Sequence, residues 1–87
     1  MLPGEEIIAE GIKDLAEGRE TIPALLVSIG APRLRRIGLN IPELTFSSPE
    51  LRLYHKLRDL HADAAHSQYN ALIRRLVSFE RAAECVK

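Results

Sequence analysis

The spacing of apolar residues divides the chain into helical segments joined by turns. Near the start, isoleucine or leucine occupies positions 8, 12 and 15, which is the spacing of one face of an amphipathic helix. We predict a first helix over residues 5–17, ended by Gly18. Gly11 in the middle of this helix costs about 1 kcal/mol relative to alanine and so indicates close approach of another helix.

A second helix is predicted after Thr21. Its hydroxyl suits the N-cap position, and Pro23 lies in the first turn, where a missing N–H costs nothing. Residues 24–27 are Ala-Leu-Leu-Val, so this part of the helix is expected to be buried nearly all round. Gly30 predicts the end of the helix.

A short third helix is predicted to follow at once. Pro32 suits a first helical position and Gly38 suits a stop, so the helix covers residues 33–37. Residues 40–47 contain a proline and are predicted to form a loop. The loop returns three apolar side chains to the core, those of Ile41, Leu44 and Phe46.

The clearest helix start in the chain is Ser48-Pro49-Glu50, which combines an N-cap hydroxyl, a first-turn proline and a first-turn acid. Residues 50–87 contain neither glycine nor proline. The sequence therefore permits one helix of about 38 residues, or about 55 Å at 1.5 Å per residue.

The apolar seam of this long helix changes direction along its length. Positions 53, 57, 60 and 64 share one side, whereas positions 69, 72, 76 and 83 lie about 90–120° further round. The apolar seam of a left-handed coiled coil drifts in the opposite direction, by about −20° per heptad, so a regular coiled coil is disfavoured. Two alternatives remain: a continuous helix with changing neighbours, or a kink near residues 62–67. We favour the continuous helix because no residue there is a helix breaker.

These segments predict a single all-α domain over residues 1–87. Three short N-terminal helices and a loop, over residues 1–47, pack on a long C-terminal helical region over residues 48–87. The first part is too small to cover all of the second, so we expect oligomerisation, most simply a homodimer, or another protein to complete the fold. The alternative is a compact monomer in which the helix folds back on itself. The predicted interface residues are Tyr69, Leu72, Leu76 and Phe79.

The chain has 12 basic and 12 acidic residues and no net charge, so it lacks the overall positive charge typical of strong nucleic-acid binders. Three arginines nevertheless cluster without a neighbouring acid, namely Arg33, Arg35 and Arg36. We consider two interpretations of this cluster, a solvated basic face near acidic neighbours and a phosphate-binding patch.

Cys85 is the only cysteine, which excludes a disulfide within the chain and favours a reducing compartment. The first residues lack the features of a secretory signal, and the most apolar stretch, residues 22–31, falls short of the roughly 18–20 residues of a membrane span. We therefore expect a cytoplasmic protein with no membrane role.

Three side chains of the long helix lie within about 40° on a helical wheel and are weak candidates for a metal or acid–base site, namely His55, Asp59 and His66. Position 66 lies about 10 Å along the axis from position 59, so only a kink or a second chain completes such a site. A solvated polar face is the favoured interpretation, and no cofactor is expected.

The sequence carries no glycine-rich phosphate loop, and Cys85 has no neighbouring base. An enzyme is therefore not favoured. We expect a small helical protein–protein interaction module, an adaptor or a regulatory subunit. The alternative is a helical nucleic-acid-binding regulator that uses the basic cluster at residues 33–36.

Overall fold

The computed structural model describes residues 2–43 and 45–85; Leu44 and the predicted end of the helical region at residues 86–87 lie outside them. The all-helical class is confirmed for the described residues. The helices are α1 Glu5–Ala16, α2 Ile22–Ile37, α3 Pro49–His61 and α4 Ala65–Cys85, with a 3₁₀ turn, Ala62–Ala64, between the last two. None of these helices is long and apolar enough to span a bilayer.

The first helix forms where the apolar spacing predicts it. α1 places Ile8 and Leu15 in the core, and the acidic Glu5 and Glu6 lie in its first turn, at the positive end of the helix dipole. Gly18 takes a positive φ of 75° just after the helix. The predicted boundaries of α1 are thus confirmed to within one residue.

The second helix, α2, is the centre of the fold and packs against each of the other three helices. Residues 24–27 are completely buried, as the apolar run predicts. The predicted cap is also confirmed, because the backbone N–H of Ala24 donates to Oγ1 of Thr21 at 3.2 Å. The same hydroxyl donates to Oδ2 of Asp14 in α1 at 2.8 Å, so this cap also joins the two helices.

The predicted break at Gly30 and the separate third helix are wrong. α2 continues through Pro32 to Ile37 and ends at Gly38, although an internal proline removes a backbone hydrogen bond and costs about 3 kcal/mol. Leu34 and Ile37, beyond the proline, are buried in the core. Their burial, at about 1.5–3 kcal/mol each, offsets that cost.

The preference for one continuous C-terminal helix is also wrong. The helix that starts at Pro49 ends at His61, and the chain turns back through residues 62–64, inside the alternative kink region. Ala62 takes a positive φ of 33° in this turn. α4 then packs on both α3 and α2. We call α3, the turn and α4 the hairpin.

The drifting apolar seam explains why the chain turns back. In a straight helix the two apolar faces would point in different directions, and the second would stay in water. The turn brings both faces onto the same core, which contains Leu53 and Leu57 of α3 and Leu76 and Phe79 of α4. The molecule measures 39 × 24 × 18 Å, well below the ~55 Å of the continuous helix.

Candidate interaction surfaces

The predicted basic cluster lies in the last turns of α2, beside the end of α4. Nε and Nη2 of Arg33 each lie 2.6 Å from Oε1 of Glu84. Nη1 of the same guanidinium lies 3.5 Å from Oε1 of Glu80. Because these donors face carboxylates of the same chain, Arg33 serves to join α2 to α4.

The other two arginines lie on the exposed side of α2. Arg35 donates from Nη2 to the carbonyl oxygens of Pro42 and Glu43 and so holds the loop after α2 against the helix. Arg36 is exposed. An open hollow of about 400 Å³ beside it is lined by Arg33, Arg36, Ile37 and Glu84. Arg33 and Arg35 therefore contact carboxylate and carbonyl oxygens of their own chain.

Glu80 is a carboxylate buried between α2 and α4, with only 6% of its side chain exposed. It packs against Gly30, where a β-carbon would approach its Oε2 to 3.1 Å. Burial raises the pKa of the Glu80 carboxyl above its ordinary value, the positive charge of Arg33 lowers it, and the negative charge of Glu84 raises it further. The net shift is upward because loss of hydration outweighs the pairing with Arg33.

The predicted interface residues do not form an exposed patch on this chain. Leu76 and Phe79 are 3% and 4% exposed and belong to the core. Leu76 packs at Gly30 of α2, and Phe79 lies beside Gly4 at the start of α1. The reversal of α4 therefore buries, within one chain, two of the four side chains for which the sequence predicted a partner.

Tyr69 and Leu72, the other two predicted interface residues, are half-buried at the edge of the core. The ring of Tyr69 meets that of Tyr54 in α3 edge to face, with centroids 6.0 Å apart and planes at 67°. Burial and then the negative charge of Glu50 raise the pKa of the Tyr69 hydroxyl. This aromatic pair stabilises the packing of α3 against α4.

The structure brings two of the three weak metal candidates together and places the third on another helix. His55 and Asp59 lie one turn apart on α3 and, with Arg58, line a shallow hollow of about 280 Å³. His66 lies on α4, beyond the turn, and is exposed. Among residues 2–43 and 45–85, no three histidine, cysteine or carboxylate side chains are placed to hold a metal ion.

Two exposed leucines of α3 were not singled out as candidate site residues from the sequence. Leu51 is 57% exposed and Leu60 is 63% exposed, the largest exposures among the big apolar side chains that the structure describes. The sequence does place Leu60 on the same seam as Leu53 and Leu57. The helical spacing of these three leucines is the one signal of this site in the sequence. The exposure of Leu60 itself follows only from the tertiary structure.

Comparisons with known proteins add no relative to this description. No protein-family model, curated protein or solved structure matches the chain.

Proposed function

We propose that this chain is a small protein–protein interaction module, an adaptor or a regulatory subunit, and that it contacts its partner through the tip of the hairpin. The tip consists of the end of α3 and the 3₁₀ turn, residues 60–64. All five of its residues are exposed. The exposure of Leu60 carries the proposal.

Leu60 continues an apolar seam that the rest of the chain buries. Leu57, one turn earlier on the same side of α3, is 1% exposed, and Leu53, two turns earlier, is 0% exposed. Leu60, at the end of the same seam, is 63% exposed. Because this leucine ends the apolar seam of a helix, it is the anchor that would dock into an apolar cleft of the partner.

The surroundings of Leu60 suit a small interface. His61 and Asp63 are exposed at the tip and provide polar groups around the apolar side chain, the arrangement of an interface core and rim. Ala62 and Ala64 add small side chains that permit close approach. The partner is another protein or a second copy of the chain, which would form a homodimer through two tips.

The test compares two leucines of the same helix with similar exposure. Leu60→Ser removes the proposed anchor, and Leu51→Ser makes the same chemical change on another side of α3. Because both side chains are exposed, we expect each variant to stay within about 1 kcal/mol of the parent in the free energy of unfolding. Circular dichroism during urea unfolding checks this expectation.

Association is then measured in two ways. Sedimentation equilibrium at about 100 μM reports a second copy, and capture from an extract of the cell that encodes the chain reports another protein. We expect Leu60→Ser to weaken association at least tenfold and Leu51→Ser to leave it unchanged. The proposal fails if both variants behave alike, or if the parent stays at 9.7 kDa and retains no stoichiometric partner.

A further inference from the structure

The acidic and basic residues of α4 lie on different sides of the helix. Its acidic residues, Glu80 and Glu84, both contact Arg33 of α2. Residues 64–79 contain no acid at all. Arg74 and Arg81 are exposed, and neither takes part in an ion pair within the described residues. Arg74 and Arg81 therefore give one side of α4 two exposed positive charges that no ion pair of the described residues neutralises.

The two arginines belong to a polar stripe along the helix. At about 100° per residue, seven residues fall within an arc of about 100° on the side of α4 that faces solvent. We call this stripe the outer face of α4, formed by Ser67, Asn70, Ala71, Arg74, Ser78, Arg81 and Cys85. Asn70 is half-buried and the other six are exposed. Arg74 and Arg81 are about 10 Å apart along the axis.

We propose that the outer face of α4 binds the backbone of duplex DNA. Guanidinium, hydroxyl and amide groups are the side chains that most often contact DNA phosphates. Arg74 and Arg81 supply two guanidinium groups, and Ser67 and Ser78 supply hydroxyl donors on the same side. This site differs from the basic cluster of α2, and it is independent of the proposed contact at Leu60.

The shape of the face favours duplex DNA over other nucleic acids. A single straight helix fits the major groove of B-form DNA, which is about 12 Å wide, whereas the major groove of A-form RNA is too narrow. Single strands are bound mainly by stacking on exposed aromatic rings. The outer face has none, because Tyr69 packs on Tyr54 and Phe79 is buried.

The absence of net charge is compatible with this site because the charges are segregated along the chain. Residues 1–20 hold six acidic and two basic residues, whereas residues 21–87 hold six acidic and ten basic residues. The acidic helix α1 packs mainly on α2. Arg75 shares a hollow with Glu5 and Glu6 and is not counted in the outer face.

The test measures fluorescence anisotropy of a labelled 20-base-pair duplex at about 50 mM salt and above. Arg74→Ala/Arg81→Ala removes the two cations of the outer face. Lys56→Ala/Arg58→Ala removes two cations from α3 and is the control with matched charge. We expect the first variant to bind at least tenfold more weakly and to make the negative slope of log K against log salt shallower by about 2, and the control to keep the parental slope.

Four results would overturn this assignment. One is no binding of the duplex by the parent at about 50 mM salt, and another is equal loss in the two variants. A third is tighter binding of a single strand or of duplex RNA of the same length. The last is loss of self-association, rather than of DNA binding, in Arg74→Ala/Arg81→Ala. Circular dichroism of both variants checks that α4 is still folded.

Discussion

Gly11 of α1 lies against the backbone of Pro23 in α2. A β-carbon on this glycine would be 2.3 Å from the carbonyl oxygen of Pro23 and 2.5 Å from Cγ2 of Val27. The two helices therefore cross where one of them has no side chain. This is the close approach that a glycine in mid-helix predicts.

Gly11→Ala should destabilise the protein although alanine is the better helix former. The added methyl group meets a backbone carbonyl that cannot rotate away, so the helices must separate, at a cost of about 2–3 kcal/mol. Urea unfolding followed by circular dichroism measures this loss. Ala9→Gly, at an exposed position of the same helix, is the control. It measures the effect of helix propensity alone, about 1 kcal/mol. A Gly11→Ala variant as stable as the parent would contradict the close crossing.

Thr21→Val should cost about 1–2 kcal/mol, because valine keeps the shape of threonine but loses two hydrogen bonds. One is the cap to the N–H of Ala24, and the other is the bond to the carboxylate of Asp14, itself buried. Thr21→Ser retains the hydroxyl and should stay close to the parent. Thermal unfolding of the three proteins distinguishes these outcomes, and a loss in Thr21→Ser without a loss in Thr21→Val would show that the methyl group matters instead.

Ser48 occupies an unusual position for a serine before a helix. It has a φ of 46° and a ψ of 51°, and its hydroxyl makes no cap hydrogen bond. Ser48→Gly should therefore stabilise the protein by about 0.5–1 kcal/mol, because glycine reaches this conformation without steric cost. Ser48→Ala keeps the β-carbon and should leave the free energy of unfolding nearly unchanged. A loss near 1 kcal/mol in Ser48→Ala would instead indicate an ordinary N-cap.

Protonation of the Glu80 carboxyl should increase the free energy of unfolding as the pH falls from neutral. The pKa of its carboxyl is raised in the folded state, so the folded chain binds this proton more tightly than the unfolded chain does. The resulting penalty is fully present above the folded pKa. It disappears as the pH falls through the folded pKa towards the ordinary value of 4.5.

Glu80→Gln isolates this effect from the other carboxyl groups. Glutamine fills the same space without a charge, so the variant should be more stable than the parent at pH 7, and the difference should shrink towards pH 4.5. Chemical unfolding of both proteins at several pH values measures the difference directly. A variant that is less stable than the parent at pH 7 would show that the contact with Arg33 outweighs the loss of hydration.

Local sequence signals were sufficient for the elements whose boundaries depend on neighbouring residues. The apolar spacing of α1, the Thr21 cap, the stop at Gly38 and the start at Pro49 all appear in the structure. The Thr21 cap depends on a hydrogen bond to Ala24, and the stop at Gly38 depends on a left-handed backbone angle. Such interactions are fixed by the local sequence.

Local signals failed where distant contacts carry more free energy. Gly30 and Pro32 predict a helix end, but packing against α4 keeps α2 intact through both residues. Arg33 has the local context of a solvated cation, and only the fold brings Glu84 within 2.6 Å of it. The exposure of Leu60 likewise depends on how far the other helices extend beside α3.

The amino-acid sequence by itself determined the helical class, most of the helix ends and the presence of two apolar faces in the C-terminal half. Only the tertiary structure decided that these faces belong to two helices, because no residue near Ala62 favours a turn. The turn forms because burial of α4 on α2 gains more free energy than an unbroken helix retains. That reversal covers Leu76 and Phe79 and leaves Leu60 exposed at the tip.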